Sequence, residues 1–140
     1  MAAAVADRLV PMITEATPVN ERIIKLRISH TLGVISQDSV YAPNGVSEFS
    51  VKEAFYAQVQ TVADSCPEKD TLIVLGGFNA TTGTDRDDYQ SCVGLHGSGS
   101  KNEISSMLLE DFRSYYRKSE NLTIVLQTFY KISNNRPIYN

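Results

Sequence analysis

Cysteine is scarce in this chain. Cys66 and Cys92 are the two present, too few for a disulfide framework or a zinc site. Both read as reduced thiols of an intracellular protein. No segment approaches the roughly 18 uninterrupted apolar residues that a membrane span requires. The run from Met1 to Ala6 ends at Asp7 and Arg8, without the basic start and longer apolar core of a secretory signal. The expectation is a cytoplasmic or nuclear protein with no membrane partner. Basic charge is thin as well: 13 Lys and Arg stand against 16 Asp and Glu. A stand-alone nucleic-acid binder is usually basic, because neutralising phosphates supplies most non-specific affinity. The one basic concentration, Arg22, Lys25 and Arg27, reads as the solvated face of an edge strand. Histidine is limited to His30 and His96, far apart and without companion ligands. A turn or loop role is expected for both, not metal binding or base catalysis.

What is present fits one domain with a real core. The 42% hydrophobic and 21% charged content is that of a globular chain and argues against disorder. Residues 1–20 contain Pro11 and Pro18, show no sustained period, and read as a poorly ordered lead-in. Arg22 to Ser29 alternates in strand fashion, and Leu32 to Tyr41 supplies an antiparallel partner. Gln37 and Asp38 interrupt the second run, which suggests a bulge or an exposed stretch. Ala42-Pro43-Asn44-Gly45 is a turn cluster. Ser50 to Glu53 has the form of a capping box, opening a helix with an apolar stripe of Val51, Ala54, Phe55, Val59, Val62 and Ala63. Thr71 to Leu75 is then a strand parallel to the one ending at Tyr41, since a helix separates them.

Residues 76–100 hold six of the eight glycines, and a loop of that length is either functional or mobile. A second capping box, Ser100 to Glu103, opens a helix with the stripe Ile104, Met107, Leu108, Phe112 and Tyr115. Leu122 to Leu126 is the third crossover strand, and residues 131–140 form a polar tail. The fold class is α/β, with the domain spanning 21–130.

Chemistry concentrates at the ends of two of these strands. Tyr41-Ala42-Pro43-Asn44 follows one, and Gly76-Gly77-Phe78-Asn79 follows the next. In open α/β sheets ligands bind beyond the carboxyl ends of the strands. Asp85, Asp87 and Asp88 do not make a calcium loop, because Gln90 and His96 occupy the places of the required glycine and glutamate. No lysine follows the glycines as in a P-loop, and no G-x-G-x-x-G occurs.

The ordered pair of motifs, with N-A-T-T-G after the second, resembles the endonuclease/exonuclease/phosphatase superfamily. V-Y-A-P-N, S-E-F-S-V-K-E-A-F-Y, L-I-V-L-G-G-F-N-A-T-T-G-T-D-R-D and S-C-V-G-L-H-G-S-G are similar to one branch of it. That branch contains retrotransposon-derived endonuclease domains and craniofacial development protein 2-like proteins, and the likeness runs over 21–113. It implies a two-sheet α/β sandwich, here a partial one. The implied activity is magnesium-dependent phosphodiester or phosphate hydrolysis by an attacking water.

Under this resemblance Asn79 matches the asparagine that holds phosphate and water, and Tyr41 a tyrosine reaching toward the same phosphate. Gly77 stands where the family places the aspartate that manages the proton of the attacking water. The strands carrying the remaining family asparagine, metal-binding glutamate and closing Asp-His pair find no match. The resemblance therefore implies a truncated, catalytically silent domain with Asn79 and Tyr41 as remnants. No cofactor is expected in this chain, although the family uses magnesium. Two alternatives stand beside it: a weak magnesium-dependent phosphodiesterase, and a non-catalytic binding module. Weak nucleic-acid or phosphodiester binding is the expected partner chemistry. An incomplete second sheet would leave Ile24, Leu26, Val34 and Ile35 thinly covered and favour self-association.

Overall fold

The computed structural model describes residues 3–81, 100–118 and 122–127. The Gly-rich segment with Asp85, Asp87, Asp88, Cys92 and His96, and the polar tail, lie outside the described residues. A short 3-10 helix (Asp7–Met12) leads into β1 (Ile13–Pro18), β2 (Ile23–His30) and β3 (Gly33–Tyr41). Then follow α1 (Phe49–Asp64), β4 (Thr71–Gly77), α2 (Glu103–Lys118) and β5 (Leu122–Gln127). The strands form one sheet in the order β1-β2-β3-β4-β5, antiparallel from β1 to β3 and parallel from β3 to β5. The α/β class and the parallel pairing of β3 with β4 match the sequence reading.

The lead-in does not. Residues 13–18 form a strand against β2, with the register slipping between Ile13 and Glu15. That slip breaks the alternation that would have advertised a strand, and Pro18 is tolerated because β1 is an edge. The pairing turns β2 into an interior strand. Lys25 and Arg27 therefore do not form a solvated edge face: Lys25 Nζ donates to Ser65 Oγ at 3.0 Å, and Arg27 Nε to Asp70 Oδ2 at 2.8 Å. β3 also runs without a bulge at Gln37 and Asp38, its register unbroken from Gly33 through Val40. Asp38 is instead buried at 1% exposure.

α1 and α2 touch each other, so both crossovers cover one face of the sheet, as successive crossovers of one hand require. Ile23, Val40, Leu72 and Val74 of the sheet meet Phe55, Tyr56, Val59 and Val62 of α1 and Ile104 and Leu108 of α2. Burying a side chain of this size contributes about 1.5–3 kcal/mol. The buried face of α1 is turned slightly from the one expected: Lys52 and Tyr56 are inside, whereas Val51 is 46% exposed and Ala54 is exposed. Lys52 is tolerated there because its ammonium donates to the Gly45 carbonyl at 2.8 Å. On α2, Leu109 joins the buried set at 0%; the side chains of Phe112 and Tyr115 lie outside the described residues.

Both helices start elsewhere than the expected capping boxes place them. α1 starts at Phe49 with Glu48 at its N-cap and no side-chain cap bond. At α2 the cap is Asn102, whose Oδ1 accepts from the Ser105 amide at 2.9 Å. On the sheet face turned away from α1 and α2, Ile24, Ile28, Ile35, Ile73 and Leu75 are half-buried. Leu26 is better covered than expected, at 5%, and the 3-10 helix lies against β2.

Candidate functional site

The carboxyl ends of β3 and β4 lie side by side, with Tyr41 paired to Gly77 and the Ala42 amide donating to the Gly77 carbonyl at 2.7 Å. Gly76 makes this edge possible. Its φ is +144°, and a Cβ there would lie 1.8 Å from the Val40 carbonyl oxygen, so only glycine fits. Gly77 is outside the positive-φ region. Its backbone conformation alone does not require glycine.

Asn79 sits at φ +51°, a left-handed conformation that asparagine adopts more readily than most residues. Its Nδ2 donates to the carbonyls of Ala42 at 2.8 Å and Pro43 at 3.2 Å. The amide thereby stitches the two strand-end loops together. Among the described residues its Oδ1 makes no hydrogen bond, and Asn79 is exposed. Tyr41 is 52% exposed, with a hydroxyl that bonds no described residue. The structure thus brings both sequence-selected residues to one edge, Asn79 fastened and Tyr41 free.

Three further residues belong to this edge. Asn102 Nδ2 donates to the Asn79 carbonyl at 3.2 Å, and its Oδ1 accepts from the Thr81 amide at 3.2 Å. One side chain therefore caps α2 and clamps the loop after β4. Its sequence signal was its place just before the first helical residue, a favoured N-cap. Arg22 and Asn20 arrive because β2 runs antiparallel to β3 and starts where β3 ends. Arg22 Nη1 donates to the Tyr41 carbonyl at 3.4 Å, and Asn20 Oδ1 accepts from the Arg22 amide at 2.7 Å. Nothing local in the sequence announces that meeting. A cleft of about 360 Å³ opens there, lined by Asn20, Arg22, Pro43, Ser50, Val51 and Gln58 among others.

The donor set at this edge is a phenol, neutral amides and a guanidinium. Magnesium takes oxygen ligands and usually one or two carboxylates. Glu21 lines the cleft and Glu48 is nearby in the chain, but both are exposed and Glu21 is already 3.8 Å from the Arg22 guanidinium. Among the described residues, no three His, Cys, Asp or Glu side chains are grouped to hold a metal. These residues do not fit a magnesium site. No described helix is long and apolar enough to cross a membrane.

No protein-family profile matches the chain. It is 29% identical over 91 residues to craniofacial development protein 2 of Bos taurus, covering 65% of this chain and 15% of that protein. Against craniofacial development protein 2 of Tragulus javanicus the identity is 28% over 91 residues, covering 65% of this chain and 16% of that protein. The similarity is weak, and the chain spans about one sixth or less of the length of these curated relatives.

Proposed function

We propose that this chain is a catalytically silent relative of the endonuclease/exonuclease/phosphatase nucleases. One observation carries the reading: Gly77 is paired with Tyr41 at the carboxyl edge, where the resemblance calls for an aspartate. A residue without a side chain accepts no proton, and a positioned general base is worth about 10²–10⁴-fold in rate. The engagement of Asn79 Nδ2 by two backbone carbonyls supports the same reading, since those donor hydrogens serve the loops. The partial two-sheet sandwich belongs to this proposal; the described residues contribute its single sheet.

The test is hydrolysis by the purified, unmodified chain of nicked duplex, abasic duplex and a generic phosphodiester, with magnesium and with chelator. No turnover above background is expected. Cleavage abolished by chelation would overturn the proposal and favour the weak phosphodiesterase. A binding module is the second reading, favoured by the cleft beside Arg22. Its signature is weak, salt-sensitive nucleic-acid binding that falls in Arg22→Ala without any turnover.

A further inference from the structure

Away from the strand ends, a polar cluster lies under the carboxyl end of α1. Asp70 Oδ2 accepts from Arg27 and, at 2.9 Å, from Ser36 Oγ. Two residues along β3 from Ser36, Asp38 is 1% exposed, and neither of its oxygens has a hydrogen-bond partner among the described residues. An unpartnered buried carboxylate is costly when charged. The nearest remedy is Lys25, its direct cross-strand partner, since facing side chains on paired strands lie about 4.5–5.5 Å apart at Cβ. Yet Lys25 makes no salt bridge with Asp38. Its ammonium donates to Ser65 Oγ at 3.0 Å, and that hydroxyl in turn donates to the Val62 carbonyl. One cation therefore faces two acceptors and is committed to the neutral one.

We propose that Lys25 is a proton-controlled latch. While Asp38 is protonated, the ammonium holds the carboxyl end of α1 through Ser65; when Asp38 ionises, it moves to Asp38 and releases that end. The proton passes to solvent, and no covalent bond is made or broken. The choice rests on which acceptor is charged, because a carboxylate adds a Coulomb attraction for the ammonium that a neutral hydroxyl does not offer.

The charged surroundings leave this exchange to Lys25. β2 supplies Lys25 and also Arg27, which is already paired with Asp70. The α1 end supplies Cys66, whose thiol is pushed up by burial and then by Asp38. β4 places neutral Val74 beside Asp38, and β1 brings Thr17 opposite Lys25 and Glu15 opposite Arg27. Burial raises the Asp38 carboxyl to about 6, with Lys25 pulling it down, so the exchange falls within the physiological range.

Cys66 follows Ser65 and reports the release. In the full chain carrying Cys92→Ser, labelling by a neutral maleimide follows the thiolate fraction, rising tenfold per pH unit below the thiol pKa. Ionised Asp38 by itself holds the thiol up and slows labelling. Against that fall, which Ser65→Ala keeps, the latch adds a rise of about tenfold centred near pH 6, the factor expected for losing one charge-assisted hydrogen bond. Asp38→Asn is expected to remove that extra step, and Ser65→Ala to give fast labelling at low pH too. Identical pH profiles with and without Asp38 would overturn the proposal. If Asp38→Asn fails to fold, the unsubstituted chain still decides. The Asp38 carboxyl resonance and the exchange rates of the Ser65 and Cys66 amides are expected to change together near pH 6. Titration of the carboxyl with unchanged amide exchange would also overturn the latch.

Discussion

Asp38 has an ordinary carboxyl value of 3.8 that the fold raises to about 6, chiefly by burial. The folded state therefore holds this proton more tightly than the unfolded chain does. The contribution to stability is full below about pH 4 and declines as pH rises through the folded value. At 1.36 kcal/mol per pKa unit the loss by neutral pH is of order 3 kcal/mol. Asp38→Asn is expected to flatten this dependence, gaining about 1–2 kcal/mol over the parent at pH 7.5 and nothing at pH 4. Denaturant midpoints of both proteins at the two pH values check it; a difference independent of pH would refute it. Gly76 offers a sharper test. Because a Cβ would strike the Val40 carbonyl and φ is +144°, Gly76→Ala is expected to cost about 2–4 kcal/mol. An urea-unfolding free energy unchanged by that substitution would contradict the geometry.

Among the elements, the start of α2 is fixed by one residue. Asn102 caps the helix and also binds the 79–81 loop, so Asn102→Ala is expected to cost about 1–2 kcal/mol. Ser100→Ala, at the position a capping-box pattern favours, is expected to change stability by less than about 0.5 kcal/mol. Thermal or urea melts of the two variants decide between them. The contrast shows what was legible in the sequence. β2, β3, β4 and α1 could be read because apolar period and length agree with where the chain buries them. Helix starts were less legible: Ser50 and Ser100 fit a local pattern, but Asn102 wins by adding bonds to a distant loop. The face of α1 was misjudged because Lys52 looks like a surface residue until Gly45 offers it a carbonyl. β1 was missed because its register slips after Ile13 and its partner lies across a turn. At the strand ends, motif order alone revealed Tyr41 and Asn79. Arg22 and Asn20 needed the antiparallel pairing, which is long-range information.

At the scale of the molecule, α1 and α2 cover one face of the sheet, while Ile24, Ile28, Ile35, Ile73 and Leu75 are half-buried on the other. Partly covered apolar surface of this kind binds hydrophobic dyes and promotes association. Ile73→Lys is expected to lower dye fluorescence severalfold and shift sedimentation toward the monomer. Equal dye binding by parent and variant would show that the face is shielded. The strand order carries a different consequence. Each strand pairs with the one before it in sequence, so the sheet is laid down in the order of synthesis. The β2–β3 hairpin forms from local contacts, but β4 cannot add until all of α1 has been made, since a parallel neighbour needs a crossover. A nascent chain halted between the two shows the bare flank of β3 to its surroundings. The hazard of mispairing therefore peaks on the ribosome, midway through translation, and fades once β4 zips into place.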